Sequence, residues 1–123
     1  MIGKVKKMQL MTDYKEGDVV LVSYPFGEGA GVRKRPALVI SRNNFNQQTE
    51  ELIVAQITSR ISSPNREGDY PIIDWRKASL IKPAIVRLRV ATLPTAMVLR
   101  RLGSLTEEDF RGASTAILKH ISG

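Results

Sequence analysis

The chain has 123 residues, 42 % hydrophobic and 25 % charged, the composition of one ordinary globular domain with a real core. Lys and Arg number 19 against 12 Asp and Glu, a net charge of +7 whose field favours a polyanionic partner, either nucleic acid or an acidic protein. The absence of cysteine removes disulfides, thiol chemistry and thiolate metal sites and fits a reducing cytoplasm. No apolar run approaches the roughly 20 residues that span a bilayer, so no membrane partner is expected.

Residues 1–14 carry lysines without a sustained apolar stretch and read as a flexible arm, leaving 15–123 as a single domain. Period-2 alternation then dominates. DVVLVSY (18–24) is a first strand, entered through Gly17 and ended by Pro25. FGEGAGVRK (26–34), with three glycines, is a flexible loop. PALVIS (36–41) is a second strand, continuously apolar and therefore buried on both faces. RNNFNQQTEE (42–51) is a polar connection, LIVAQITS (52–59) a third strand and RISSPNREGD (60–69) a loop. YPIID (70–74) is a short fourth strand, and DWRKAS (74–79) one helical turn capped by Asp74. KPAIVRLRVATL (82–93) and AMVLRRLG (96–103) are the fifth and sixth strands.

The end of the chain changes period. Thr106 and Asp109 stand in capping-box spacing, and Glu107, Glu108 and Asp109 put negative charge at the positive end of a helix dipole. Phe110, Ala113, Ile117 and Ile121 form one apolar stripe, which Gly112 weakens by about 1 kcal/mol relative to alanine. Such a helix must lie on the sheet. The fold class is mainly β with a C-terminal helix: a small, strongly curved antiparallel sheet or partial barrel.

Elimination narrows the chemistry. The single histidine, His120, sits near the end of that helix, where it suits the dipole rather than catalysis. Nitrogen and sulfur ligands are too few for zinc, and no Walker-type phosphate loop occurs, so neither metal nor cofactor is expected. Arginine, threonine and backbone remain. Pro36 holds Arg35 extended at a strand entrance, next to Arg33 and Lys34. If strands two and three pair antiparallel with Ser41 opposite Leu52, Arg35 falls opposite Thr58. A fixed guanidinium beside a hydroxyl is a candidate phosphate site, since the guanidinium fork matches phosphate bidentately. Such a pair has no nucleophile of its own, but RNA brings one in its 2′-OH. On these residues alone, the alternative that Arg35 is an ordinary surface cation stays open.

The order of four segments, GDVVLVSYPF, RKRPALVIS, IVAQITSR and LGSLTEEDF before a final helix, resembles the MazF/PemK family of messenger-RNA endoribonuclease toxins. The likeness runs from about Glu16 to Ile121. It implies an SH3-like barrel of the CcdB/MazF type and a homodimer. It implies metal-independent cleavage of single-stranded RNA to a 2′,3′-cyclic phosphate and a 5′-hydroxyl. It also implies neutralisation by an acidic antitoxin. The family's catalytic arginine and threonine match Arg35 and Thr58, and the RNA-binding candidates are Arg33, Lys34, Ser59, Arg60, Arg87 and Arg89. The fifth strand departs from the family: Ala91 precedes Thr92, and Arg89 stands where some members carry an acid. A non-catalytic relative on the same barrel, a gyrase poison or an RNA-binding regulator, is the alternative. Trp75 reads as a core plug before a base-stacking platform, and Phe45 as the anchor of its loop. Of Arg100 and Arg101, which alternate along a strand, one is expected in solvent.

Overall fold

A computed structural model describes residues 13–24, 33–60 and 66–121. Six strands, β1 (Asp18–Tyr24), β2 (Arg33–Val39), β3 (Glu51–Thr58), β4 (Tyr70–Pro71), β5 (Ile85–Pro94) and β6 (Val98–Ser104), form one sheet. Their order is β4-β5-β3-β2-β1-β6, with every pairing antiparallel. Helix α1 (Asn43–Thr49) joins β2 to β3, and α2 (Glu107–Ile121) closes the chain. The expected class, a mainly antiparallel sheet with a C-terminal helix, is the one observed. Most of the expected arm and most of the 26–34 loop lie outside the described residues.

Alternation along the strands sorts side chains into two cores. Val19, Leu38, Ala55, Ile57 and Val86 face one way; Val20, Val22, Ala37, Val39, Leu52 and Val54 face the other. Ala37, Leu38 and Val39 are all fully buried, as the continuous apolar run required. Helix α2 seals the first core with Phe110, Ala113 and Ile117, and burying Ile117 contributes about 1.5–3 kcal/mol. The stripe stops there, because Ile121 is 64 % exposed. Gly112 also has a positive reason to be glycine: a Cβ there would stand 2.4 Å from Cε1 of Tyr70. The helix gives up propensity to seat that ring.

Register shifts between Val19 and Val20, Leu21 and Val22, and Ala55 and Gln56 bend the sheet. Both edges are interrupted: β4 has two residues and ends at Pro71, while β6 meets β1 across two of those shifts and exposes Arg100 and Arg101.

The fourth strand stops at Pro71 rather than residue 74, the fifth and sixth start at Ile85 and Val98 rather than at 82 and 96, and three further segments differ from expectation. Strand β2 begins at Arg33, not Pro36, because it pairs with β1 from Tyr24–Arg33 onward. Its bonds to β3 start only at Ala37, so Pro36 lies where one flank is unpaired and its missing N–H is tolerated. The 42–51 connection contains α1, whose helix is organised by a buried amide and not by an apolar stripe. Asn46 Nδ2 donates to Tyr14 O at 3.1 Å and Ser41 O at 3.2 Å, while its Oδ1 accepts from the Ser41 hydroxyl. Residues 73–79 form successive turns, with Lys77 N–H to Asp74 O at 3.1 Å and Ser79 at φ 66°, in place of a capped helical turn. Trp75 packs half-buried against the first core with the Arg76 guanidinium 4.4 Å over its ring, which is the plug reading. Phe45 is half-buried on α1.

Candidate active site

Strand β2 meets β3 through Ala37–Gln56, Leu38–Ala55 and Val39–Val54, the register expected from the sequence. Carried past the last bonded pair, it sets Arg35 across from Thr58. Two rows of side chains result. The first runs Val22, Arg35, Thr58, Ile85, and the second Val20, Ala37, Gln56, Arg87. Paired residues share a face, and Val20, Val22 and Ala37 belong to the second core. Arg35, Thr58, Gln56 and Arg87 therefore stand together on that face, at the end of the sheet from which residues 25–32 depart.

Their environments differ. Arg35 is half-buried, and no acceptor or acid among the described residues holds its guanidinium. Thr58 is 7 % exposed, and its Oγ1 accepts the backbone N–H of Arg60 at 3.1 Å. Among the described residues no acceptor takes its hydroxyl proton. Arg33, Lys34, Ser59 and Arg60 are exposed around this end, and Arg89 is exposed on β5.

Arg87 is placed otherwise than a free RNA-binding cation. Its Nε and Nη2 donate to Asp69 Oδ1 at 3.1 Å and Oδ2 at 3.0 Å, a bidentate pair with side chains 15 % and 1 % exposed. Asp69 also accepts the Arg66 N–H at 2.9 Å. Burial pushes the Asp69 carboxyl up, but the Arg87 fork and the Arg66 amide outweigh it and hold the group below the ordinary carboxylate value. The Asp69 hydrogen bond raises Arg87 in turn. Sequence reading missed this partner because Asp69 comes opposite Arg87 only when the register of two-residue β4, with Tyr70 on Val86, is carried back one position. Gln56 was missed as well, since one amide inside an apolar strand looks like core.

Elsewhere the titratable groups are structural. Asp109 has no exposed surface, and its carboxylate accepts Tyr70 Oη at 2.7 Å and the N–H groups of Ile73 at 2.9 Å and Asp74 at 2.8 Å. Burial works to raise its pKa, yet those donors hold it below the ordinary value. Burial and the neighbouring carboxylate raise Tyr70. Thr106 Oγ1 accepts the Asp109 N–H at 3.1 Å, the N-cap half of the expected box. Asp18 accepts from Arg101 Nε at 3.1 Å and Ser104 Oγ at 2.9 Å, whereas Arg100 is exposed. His120 lies at the end of α2, its Nδ1 2.8 Å from Ala116 O and its Nε2 3.3 Å from Glu67. No three His, Cys, Asp or Glu side chains converge among the described residues. No helix among them is long and apolar enough to cross a membrane.

A bent six-stranded antiparallel sheet with a terminal helix, carrying at the mouth of a buried strand an arginine without a partner among the described residues, defines a small basic β-domain. The family model of PemK-like, MazF-like toxins of type II toxin–antitoxin systems matches residues 15–121, and the chain belongs to that family. Among solved structures it is similar to MazF from Deinococcus radiodurans, with TM-score 0.71 and 14 % identity over 89 % of this chain and 97 % of that one. It is likewise similar to the Mycobacterium tuberculosis toxin MazF-mt6, with TM-score 0.68 and 19 % identity over 85 % and 96 %. A third is a mycobacterial endoribonuclease in complex with its cognate antitoxin, with TM-score 0.70 and 16 % identity over 89 % and 95 %. No curated protein matches the chain significantly. At these identities the solved structures share the fold.

Proposed function

We propose that the chain is an endoribonuclease toxin that cuts single-stranded messenger RNA in the cytoplasm, sequence-selectively and without a metal. It acts as a homodimer whose groove, lined by Arg35 beside the exposed Arg33 and Lys34, takes either RNA or the acidic tail of an antitoxin. The observation that carries this reading is the β2–β3 register, which sets Arg35 across from Thr58, neither the guanidinium nor the hydroxyl proton having a partner among the described residues. Family membership supports it, as does the similar endoribonuclease held with its antitoxin.

The chemistry asks little of the protein. The ribose 2′-oxygen attacks the adjacent phosphorus as the P–O5′ bond breaks. The proton leaves the 2′-OH and one is gained by the 5′-oxygen, giving a 2′,3′-cyclic phosphate and a 5′-hydroxyl. No water is consumed in that step. Arg35 stabilises the charge that builds on the phosphate, and Thr58 orients a phosphate oxygen or the 2′-OH. The +7 charge steers the polyanion to the site.

The test is cleavage of single-stranded RNA by purified protein in EDTA, beside the same RNA carrying one 2′-deoxy residue at the cut. Cutting of the ribose substrate alone, with cyclic-phosphate ends, is the expected result. Equal cutting of both overturns the internal nucleophile. RNA bound but never cut points to the binding-only alternative. Light scattering is expected to give a dimer at micromolar concentration.

A further inference from the structure

Gln56 has no place in the chemistry just described, and its setting is unusual. It is the only strongly polar side chain between Leu52 and Ile57 on β3, and it is 7 % exposed. No hydrogen bond engages its amide among the described residues, yet none of its polar atoms is fully sealed from solvent. The amide therefore keeps a narrow contact with solvent at an otherwise apolar stretch of the strand, where a leucine would fit the neighbouring side chains as well. Ala37 on β2 is too short to cover the amide, and the Arg87 fork on β5 is closed on Asp69. Thr58 lies two residues along on the same face, with Arg35 on the diagonal.

From this we infer that Gln56 forms the floor of a nucleobase subsite beside the scissile phosphate and selects the base bound there. The inference rests on the nuclease reading above and deepens it. A primary amide offers a donor and an acceptor side by side, the complement of a base edge, and unstacked bases of single-stranded RNA present such edges. Arg35 and Thr58 hold the phosphate while Gln56, one row deeper, reads the attached base. The closed Arg87–Asp69 pair forms the wall and keeps a competing cation away from the amide.

The experiment maps cut sites in a random-sequence single-stranded RNA pool by end sequencing, in EDTA, for wild type, Gln56→Met and Gln56→Glu. Gln56→Met keeps the length and removes every hydrogen bond; Gln56→Glu keeps acceptors and removes the donor. Wild type is expected to discriminate at a nucleotide flanking the cut. Gln56→Met is expected to lose that discrimination roughly ten-fold or more, at that position alone. Gln56→Glu is expected to shift it toward a base edge that donates. The melting temperature of Gln56→Met is expected to hold, because the amide makes no hydrogen bond among the described residues that the substitution would remove. An unchanged profile in both variants overturns the inference and leaves the nuclease standing, as does a uniform loss of rate at every site. A wild type that cuts nothing in the pool overturns the nuclease reading and takes this one with it.

Discussion

Asp109 and Arg35 are both charged groups at the end of a regular element, and they are treated in opposite ways. Asp109, at the start of α2, is wholly buried and receives three donors from β4 and the segment after it. Arg35, near the start of β2, is half-buried with no partner among the described residues. The first pins the 73–79 turns to the helix; the second is held ready by Pro36. Arg87 sharpens the contrast, for it shares Arg35's face of the sheet but is closed on Asp69. A buried charge with its donors complete is architecture. A half-buried one whose fork has no partner among the described residues is the kind of group the proposed phosphate site calls for.

The largest expected effect lies on the architectural side. Asp109→Ala leaves two backbone N–H groups and the Tyr70 hydroxyl without their acceptor, and is expected to cost about 3–4 kcal/mol in urea unfolding. A loss under about 1 kcal/mol would erase the contrast. Arg35→Lys keeps the charge and loses the fork, so RNA cleavage is expected to fall on the order of 10²-fold with the unfolding midpoint unmoved. Thr58→Val, which removes only the hydroxyl, is expected to lower the rate of a folded protein in the same assay.

Asp69→Asn tests whether Arg87 belongs to the architectural class. It strands a nearly buried guanidinium and is expected to cost about 2–3 kcal/mol at neutral pH. Because the folded Asp69 carboxyl sits below its ordinary 3.8, its contribution is present above that value and is lost as pH falls through the folded one. The gap between wild type and Asp69→Asn is therefore expected to close below about pH 4, read from urea midpoints across an acid series. The smallest pair is on β6. Arg101→Ala breaks a half-exposed bridge to Asp18 and is expected to cost about 1 kcal/mol, whereas Arg100→Ala is expected to stay within about 0.5 kcal/mol.

What was legible in the sequence follows from which forces are local. Strand β1 was found to the residue, because alternation and its Gly17 and Pro25 borders are written in adjacent positions. The β2–β3 register follows from setting Ser41 opposite Leu52, the residues that flank the polar 42–51 connection, and it is the one observed. Helix α1 was hidden, since NNFNQQT has no apolar stripe and depends on Asn46 reaching Tyr14, 32 positions away. Arg35 and Thr58 could be paired from one register, but the occupation of Arg87 needed a second one, β4 on β5, set by two residues. Asp109 was read as a cap alone because its other acceptor bonds span 35 to 39 positions.

The interrupted sheet edges bear on how such a chain survives in a crowded cell. A strand edge offers a row of free N–H and C=O groups on which a second chain can crystallise, and a protein built mainly of short apolar strands is a natural seed for fibrils. Here one rim is two residues long and closes with Pro71, and the other is kinked twice and studded with Arg100 and Arg101. Neither rim presents a straight, uncharged template. Among the described residues, edge-to-edge pairing of copies is thus opposed at both rims, by shortness and proline at one and by bulges and arginines at the other.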